Sequence, residues 1–126
     1  MNKELSIEFV KNFYYEDLGF CGCGNPASIL CTIKDFLNVV DAYSKNKINY
    51  KEKERRLSLA LLNDEDYEIE EIKVNRGTEL IILNVLNNCN VLEHGSGIGS
   101  SWLTLYGEEV LEHLNNLNYK DLEGEI

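Results

Sequence analysis

The run Val91-Leu92-Glu93-His94-Gly95-Ser96-Gly97-Ile98-Gly99-Ser100-Ser101-Trp102-Leu103-Thr104 sets two short segments, 91–94 and 101–103, on either side of three alternate glycines. That pattern predicts two strands joined by a flexible glycine tip at 95–99. Thr104 is a favoured N-cap, and Val110, Leu111, Leu114 and Leu117 follow at helical spacing, so a last helix with those residues inward is expected. Upstream, 78–88 reads as a helix that Asn88-Cys89-Asn90 ends. Its apolar residues go most of the way round, which predicts burial on more than one side.

Working outward, Leu5, Phe9, Phe13 and Leu18 place a helix over 4–18, broken by the glycines of 19–24. Asn25-Pro26 then starts a helix cleanly, because Asn caps and Pro tolerates the first helical position. Ile29, Ile33, Phe36, Leu37 and Val40 form its apolar stripe, and it should run to about Ser44. Helix returns near Tyr50, with Leu57, Leu61 and Leu62 inward. The acidic stretch 63–74 fits neither helical nor strand period and reads as a connector, and 120–126 as a fraying acidic tail. The fold class is thus α+β and mainly helical, with about four helices and a C-terminal hairpin in one domain spanning 1–126.

With 126 residues, 44% of them apolar, the chain is long and apolar enough for a single core and argues against disorder. Its longest apolar run, 80–83, falls far below the roughly 20 residues of a membrane span. The N-terminus shows no signal-like pattern, so a cytoplasmic location is expected. Charge is uneven. Residues 1–56 carry nine basic and eight acidic side chains, whereas 57–126 carry three basic and fourteen acidic. A field of that sign repels phosphate backbones and favours basic partners.

The order helix, strand, glycine tip, strand and Leu103-Thr104-x-x-Gly107 helix resembles the winged-helix regulators over 78–117. That resemblance implies a recognition helix at 78–88. The helix holds no Lys or Arg, Glu79 sits near its positive end, and the wing is also without a basic residue. Phosphate contact supplies most non-specific DNA affinity, so direct DNA binding is not expected. Cys21-x-Cys23-Gly24-x-Pro26, followed by Glu93-His94-Gly95-Ser96-x-x-Gly99-Ser100-Ser101-Trp102-Leu103-Thr104-x-x-Gly107, also resembles small phage and prophage proteins. That second resemblance implies an origin rather than a mechanism.

Four kinds of chemistry are open to these residues. Cys21, Cys23 and Cys31 with His94 offer a Cys/His set for zinc, completed if need be by Cys89 or His113. Against it, structural zinc sites usually place two to four residues between paired cysteines, and here there is one. Cys21 or Cys23 before a helix N-terminus, with His94 as base, would make a reactive thiol, although no third orienting group is visible. Gly22, Gly24 and Asn25 offer backbone N–H groups to an anion or nucleotide. Ser96 and Ser100 would add donors, and Lys51, Arg55 and Arg56 counter-charge, but no dinucleotide or P-loop fingerprint is present. Lastly, the fourteen acidic residues of 57–126, Glu108, Glu109 and Glu112 among them, with Tyr67, Tyr106 and Tyr119 interspersed, could imitate a phosphate backbone as a protein-binding surface, to which Tyr14 or Tyr15 would add an interface aromatic. Adjacent on one helix, the two tyrosines cannot both face inward. Trp102 is expected in the core or against the glycine loop.

The reading that follows is a non-enzymatic binding protein without a cofactor, of the phage accessory type. It would inhibit or modulate a host nucleic-acid-handling or defence component through a basic surface on that partner. The alternatives are a binder that sequesters a nucleotide signal and a zinc-stabilised transcriptional regulator. A homodimer would be a further way to bury helix 78–88.

Overall fold

Asn25 and Pro26 open the longest helix as their chemistry dictates: the Asn25 side chain accepts from the Ser28 N–H at 3.2 Å, and α2 runs Pro26–Ser44. In the computed structural model, which describes residues 3–21, 25–62 and 76–122, α2 is the central element. It packs against α3 (Tyr50–Leu62), α5 (Leu105–Asn116), β2 (Trp102–Leu103) and a last 3-10 turn (Tyr119–Leu122). The expected connector at 63–74 and the end of the tail, 123–126, lie outside the described residues.

The helix over 4–18 is α1 (Lys3–Asn12) running into a π turn, Phe13–Asp17, in which the Leu18 N–H donates five residues back to the Phe13 carbonyl. Both Phe13 and Tyr14 are fully buried there, and Tyr15 is half-buried. Gly19, at φ +74°, then turns the chain away.

Two helices stop by the same device. Asn46 follows α2 with φ 58°, and Asn90 follows α4 (Arg76–Asn88) with φ 65°. In each case the next N–H reaches back across the turn, Lys47 to Ala42 O and Val91 to Leu86 O. Val91 and Leu86 are both buried, which supplies the hydrophobic contact that accompanies this stop.

The hairpin is antiparallel and short, with β1 (Leu92–Glu93) paired to β2 in the register Leu92 to Leu103 and Glu93 to Trp102. Strand alternation turns Leu92 and Leu103 into the core and leaves Glu93 and Trp102 outside. Trp102 therefore lies against the glycine loop at Gly95 and is 40% exposed, rather than in the core. Thr104 caps α5 by accepting the Gly107 N–H at 2.8 Å. A Cβ on Gly107 would stand 2.0 Å from the Val91 carbonyl oxygen, so only glycine lets α5 seat on the hairpin this closely.

Val110, Leu111, Leu114 and Leu117 all face inward, as their spacing predicts, joining Leu30, Phe36, Leu37, Leu57, Leu83 and Leu86 in one core. Two expectations are corrected. Helix 78–88 is not buried on more than one side, because Ile81 is 67% and Val85 42% exposed. The start of the tail, 120–122, does not fray: it belongs to the last 3-10 turn, Tyr119–Leu122, and buries Leu122 against the core.

Candidate functional site

The charged residues divide into two sets. On α3, Glu52 accepts from Arg55 at 2.5 and 3.0 Å and from Arg56 at 3.0 Å. These hydrogen bonds, followed by the charges themselves, pull the Glu52 carboxyl down to about 2. Lys45 is likewise held by Asp41 at 2.9 Å. Lys53 turns inward: it is 3% exposed, stands 3.1 Å from Glu79 and lies over the Tyr43 ring at 4.6 Å. Arg76 closes the other side of Glu79 at 3.0 Å, and its guanidinium fills the space beside Gly99. Lys53 also points at the Gly99 carbonyl, 3.4 Å away. The glycine loop is thus fastened from beneath by an ion cluster, and its Ile98–Ser100 segment forms a 3-10 turn where a flexible tip was expected.

This arrangement bears directly on the anion-site residues. Gly22 and Gly24 lie outside the described residues, and Asn25 spends its side chain on capping α2. Ser96 and Ser100 are exposed, but Arg55 and Arg56 are engaged by Glu52, and the cations that reach the loop belong to Glu79. Lys51 is exposed on α3.

For the metal set, Cys23 lies outside the described residues. Cys21 is exposed, Cys31 half-buried, and His94 is bonded through Nδ1 to Asn87 Oδ1 at 2.9 Å. Among the described residues, no three His, Cys, Asp or Glu side chains converge on a metal-sized point. His113, the other histidine, receives or donates a bond with Ser6 Oγ at 2.9 Å and stacks on Phe9, joining α1 to α5.

The acidic set is different. Glu108, Glu109 and Glu112 are exposed on α5, and among the described residues no basic side chain lies within ion-pair distance of them. Leu105, at the start of the same helix, is 87% exposed. Of the two tyrosines, Tyr14 is the one that faces inward, where it stacks on Phe20 and drops out as an interface candidate, while Tyr15 keeps part of its ring in water.

Beside α5 opens a cleft of about 560 Å³ lined by Asp17, Cys89, Asn90, Glu93, Thr104, Leu105 and Tyr106. Tyr106 donates its hydroxyl to Asp17 Oδ2. Burial, then the Asp17 carboxylate, raises the phenol above its usual range, so Tyr106 stays a donor. Cys89 donates to the Asp17 carbonyl at 3.2 Å, and burial pushes its thiol up, which keeps it neutral and a poor nucleophile. Trp102 Nε1 donates to Glu93 Oε1 at 2.8 Å. The sequence candidates for the acidic surface included Tyr106 and, as one of the fourteen acidic residues, Glu93, but not Asp17, Trp102 or Leu105. Strand alternation was the available signal for Glu93 and Trp102, since it places both outside once Leu92 and Leu103 are inside. Asp17 meets Tyr106 across 89 positions, for which the sequence holds no signal.

A second, apolar groove of about 280 Å³ runs between Phe20, Ile29, Ile33, Leu61, Ile81 and Val85. No helix among the described residues is long and apolar enough to cross a membrane. Comparison of the chain with protein-family models, with curated proteins and with solved structures gives no match.

Proposed function

We propose that this is a non-enzymatic binding protein whose acidic α5 surface docks on a basic surface of another protein. The observation that carries the reading is the row Glu108, Glu109 and Glu112, unpaired among the described residues, beside an 87% exposed Leu105. Unpaired carboxylates give steering and partner choice, and an exposed leucine gives the contact an apolar anchor. The chain is a phage-type accessory factor acting in the host cytoplasm, and its partner is a host nucleic-acid-handling or defence component whose basic groove the acidic face occupies. The winged-helix-like end serves as scaffold. Its would-be reading helix, α4, presents Ile81 and Val85 to solvent, and its one arginine, Arg76, is taken up by Glu79.

The experiment is a pull-down from bacterial lysate with the wild-type chain and with Glu108→Lys/Glu109→Lys/Glu112→Lys, washed at rising salt, beside a gel-shift assay with duplex DNA. A basic protein retained by the wild type, lost on the reversed variant and released steeply by salt is expected, with no DNA shift. Equal retention on both proteins, or a DNA shift by the free chain, overturns the reading.

A further inference from the structure

We infer that two copies of this chain associate through the outward face of α4 and the apolar groove beside it, with α4 of one copy antiparallel to α4 of the other. The inference stands apart from the α5 reading and uses different residues.

The outward face of α4 carries no charge. Glu79, the acidic residue of the helix, is completely buried, and Arg76 is turned onto it. The exposed positions that follow are Gly77, Thr78, Ile81, Asn84, Val85 and Asn88. Thr78, Ile81, Val85 and Asn88 recur at spacings of three, four and three, so they line one side of the helix. That is the spacing of a seam between two helices, here with an apolar pair at its centre and a polar residue at each end. Ile81 is 67% and Val85 42% exposed, so the centre of the seam has no cover.

The groove of about 280 Å³ opens beside that pair, with Ile81 and Val85 on one wall and Phe20, Ile29, Ile33 and Leu61 on the others. Among the described residues its lining holds no charged side chain. Its volume falls below the range of ordinary small-molecule sites and suits a few aliphatic side chains.

Shape and charge together select a second copy as the occupant. A ridge, Ile81 and Val85, and the groove that it borders belong to one patch. A two-fold axis near the middle of α4 turns such a patch onto itself, so that Ile81 of each copy meets Val85 and the groove of the other. The antiparallel pairing also sets the partially positive end of each helix beside the partially negative end of its partner. As to net charge, each copy carries −10, so two copies repel wherever their carboxylates are brought together. A self contact must therefore use a neutral surface, and this face is one. Leu105 is more exposed still, but Glu108 and Glu109 follow it three and four residues on along α5, and a self contact there would press like charges together. A basic partner, conversely, gains no steering from a face without carboxylates.

The test is sedimentation equilibrium of the full chain from micromolar to submillimolar concentration, at about 0.05 and about 0.5 M salt. The proteins are the wild type, Ile81→Lys, Val85→Glu and Leu105→Lys. The wild type is expected to show a reversible monomer–dimer equilibrium that tightens at least about threefold in the higher salt, because screening removes the repulsion between acidic copies. Salt acts in the opposite sense on the proposed α5 contact, so the two surfaces are told apart. Ile81→Lys should weaken the dimer at least about tenfold even though it lowers the net negative charge, so repulsion is not the cause of that loss. Leu105→Lys makes the same charge change on α5 and should not weaken it. Val85→Glu should also dissociate the dimer, and an equal mixture of Ile81→Lys with Val85→Glu should recover it, because the antiparallel pairing sets the introduced lysine against the introduced glutamate. Both substituted positions are exposed, and circular dichroism checks that the variants fold. A wild type that stays monomeric overturns the inference; if Ile81→Lys then lowers its thermal midpoint, the face is covered from within the chain instead. A dimer that Ile81→Lys leaves intact, or that Leu105→Lys weakens equally, overturns the choice of face. A mixture that stays monomeric overturns the antiparallel pairing.

Discussion

Helices α3 and α5 each carry a run of like charges, yet they meet water in opposite ways. On α3, Arg55 and Arg56 both close on Glu52, and Lys53 turns inward to Glu79. On α5, Glu108, Glu109 and Glu112 stand exposed, and among the described residues none forms an ion pair, although Lys45, held by Asp41, lies near enough to feel the charge of Glu108. Counting residues puts half of the basic side chains in 45–56 and predicts a site for an anion. Pairing them reverses the emphasis, because most of those cations are spent within the fold while the carboxylates of α5 remain available. A charge describes a surface only after its intramolecular partners have been subtracted.

The sharpest way to break this contrast is to free the inward cation. Glu79→Leu strands the buried Lys53 ammonium without its counter-ion and is expected to destabilise the fold by about 3–5 kcal/mol. Urea unfolding measures it, and the double variant Lys53→Met/Glu79→Leu should lose less than the single one, because no isolated charge is left. A single-variant loss below about 1 kcal/mol would mean that Lys53 escapes to water and that α3 can present it after all.

On the α5 side, the seat of the helix is tested by Gly107→Ala. The added Cβ meets the Val91 carbonyl, so the helix must lift from the hairpin, at a cost of about 1–3 kcal/mol or somewhat more. Thermal unfolding reads the loss. An unchanged midpoint would show that α5 can shift without cost, and that the placing of its acidic row is not dictated by the hairpin.

The smallest expected effect is the acid dependence of the α3 pairs. The Glu52 carboxyl is held low in the folded chain, so its pairing stabilises the fold fully above the ordinary value of 4.5 and is lost as the pH falls through about 2. Between those limits the wild type should lose slightly more stability than Glu52→Gln. The difference should shrink in salt, since the pair is exposed to solvent. Identical pH profiles would indicate that Arg55 and Arg56 are not held by Glu52 in solution.

Much of the fold was legible because it depends on neighbours in sequence. Asn25-Pro26 and Thr104 start helices by capping donors one turn away, and the stripe Val110, Leu111, Leu114 and Leu117 needs only the helical period to face inward. The stops after α2 and α4 are of the same local kind, with Asn46 and Asn90 accepting a left-handed backbone. The site was less legible. Glu108, Glu109 and Glu112 could be named from composition and spacing. Asp17, Glu93, Trp102 and Tyr106 could not be grouped, because a carboxylate at the end of one turn and a tyrosine on the last helix carry no mark of meeting. The same limit concealed the fate of Glu79: beside apolar residues it read as a helix-end charge, and it is completely buried.

By itself the sequence determined the helices, their caps, the hairpin and the excess of negative charge, since each of these arises from interactions spanning a few residues or from simple addition. Only the tertiary structure decided which charges are spent. It brought Lys53 and Arg76 to Glu79 beneath the glycine loop, and it left the carboxylates of α5 in water beside the Asp17–Glu93 cleft. The physical reason is that a charge falls in energy by finding an opposite one close by, and in a folded chain that neighbour is set by packing rather than by sequence distance.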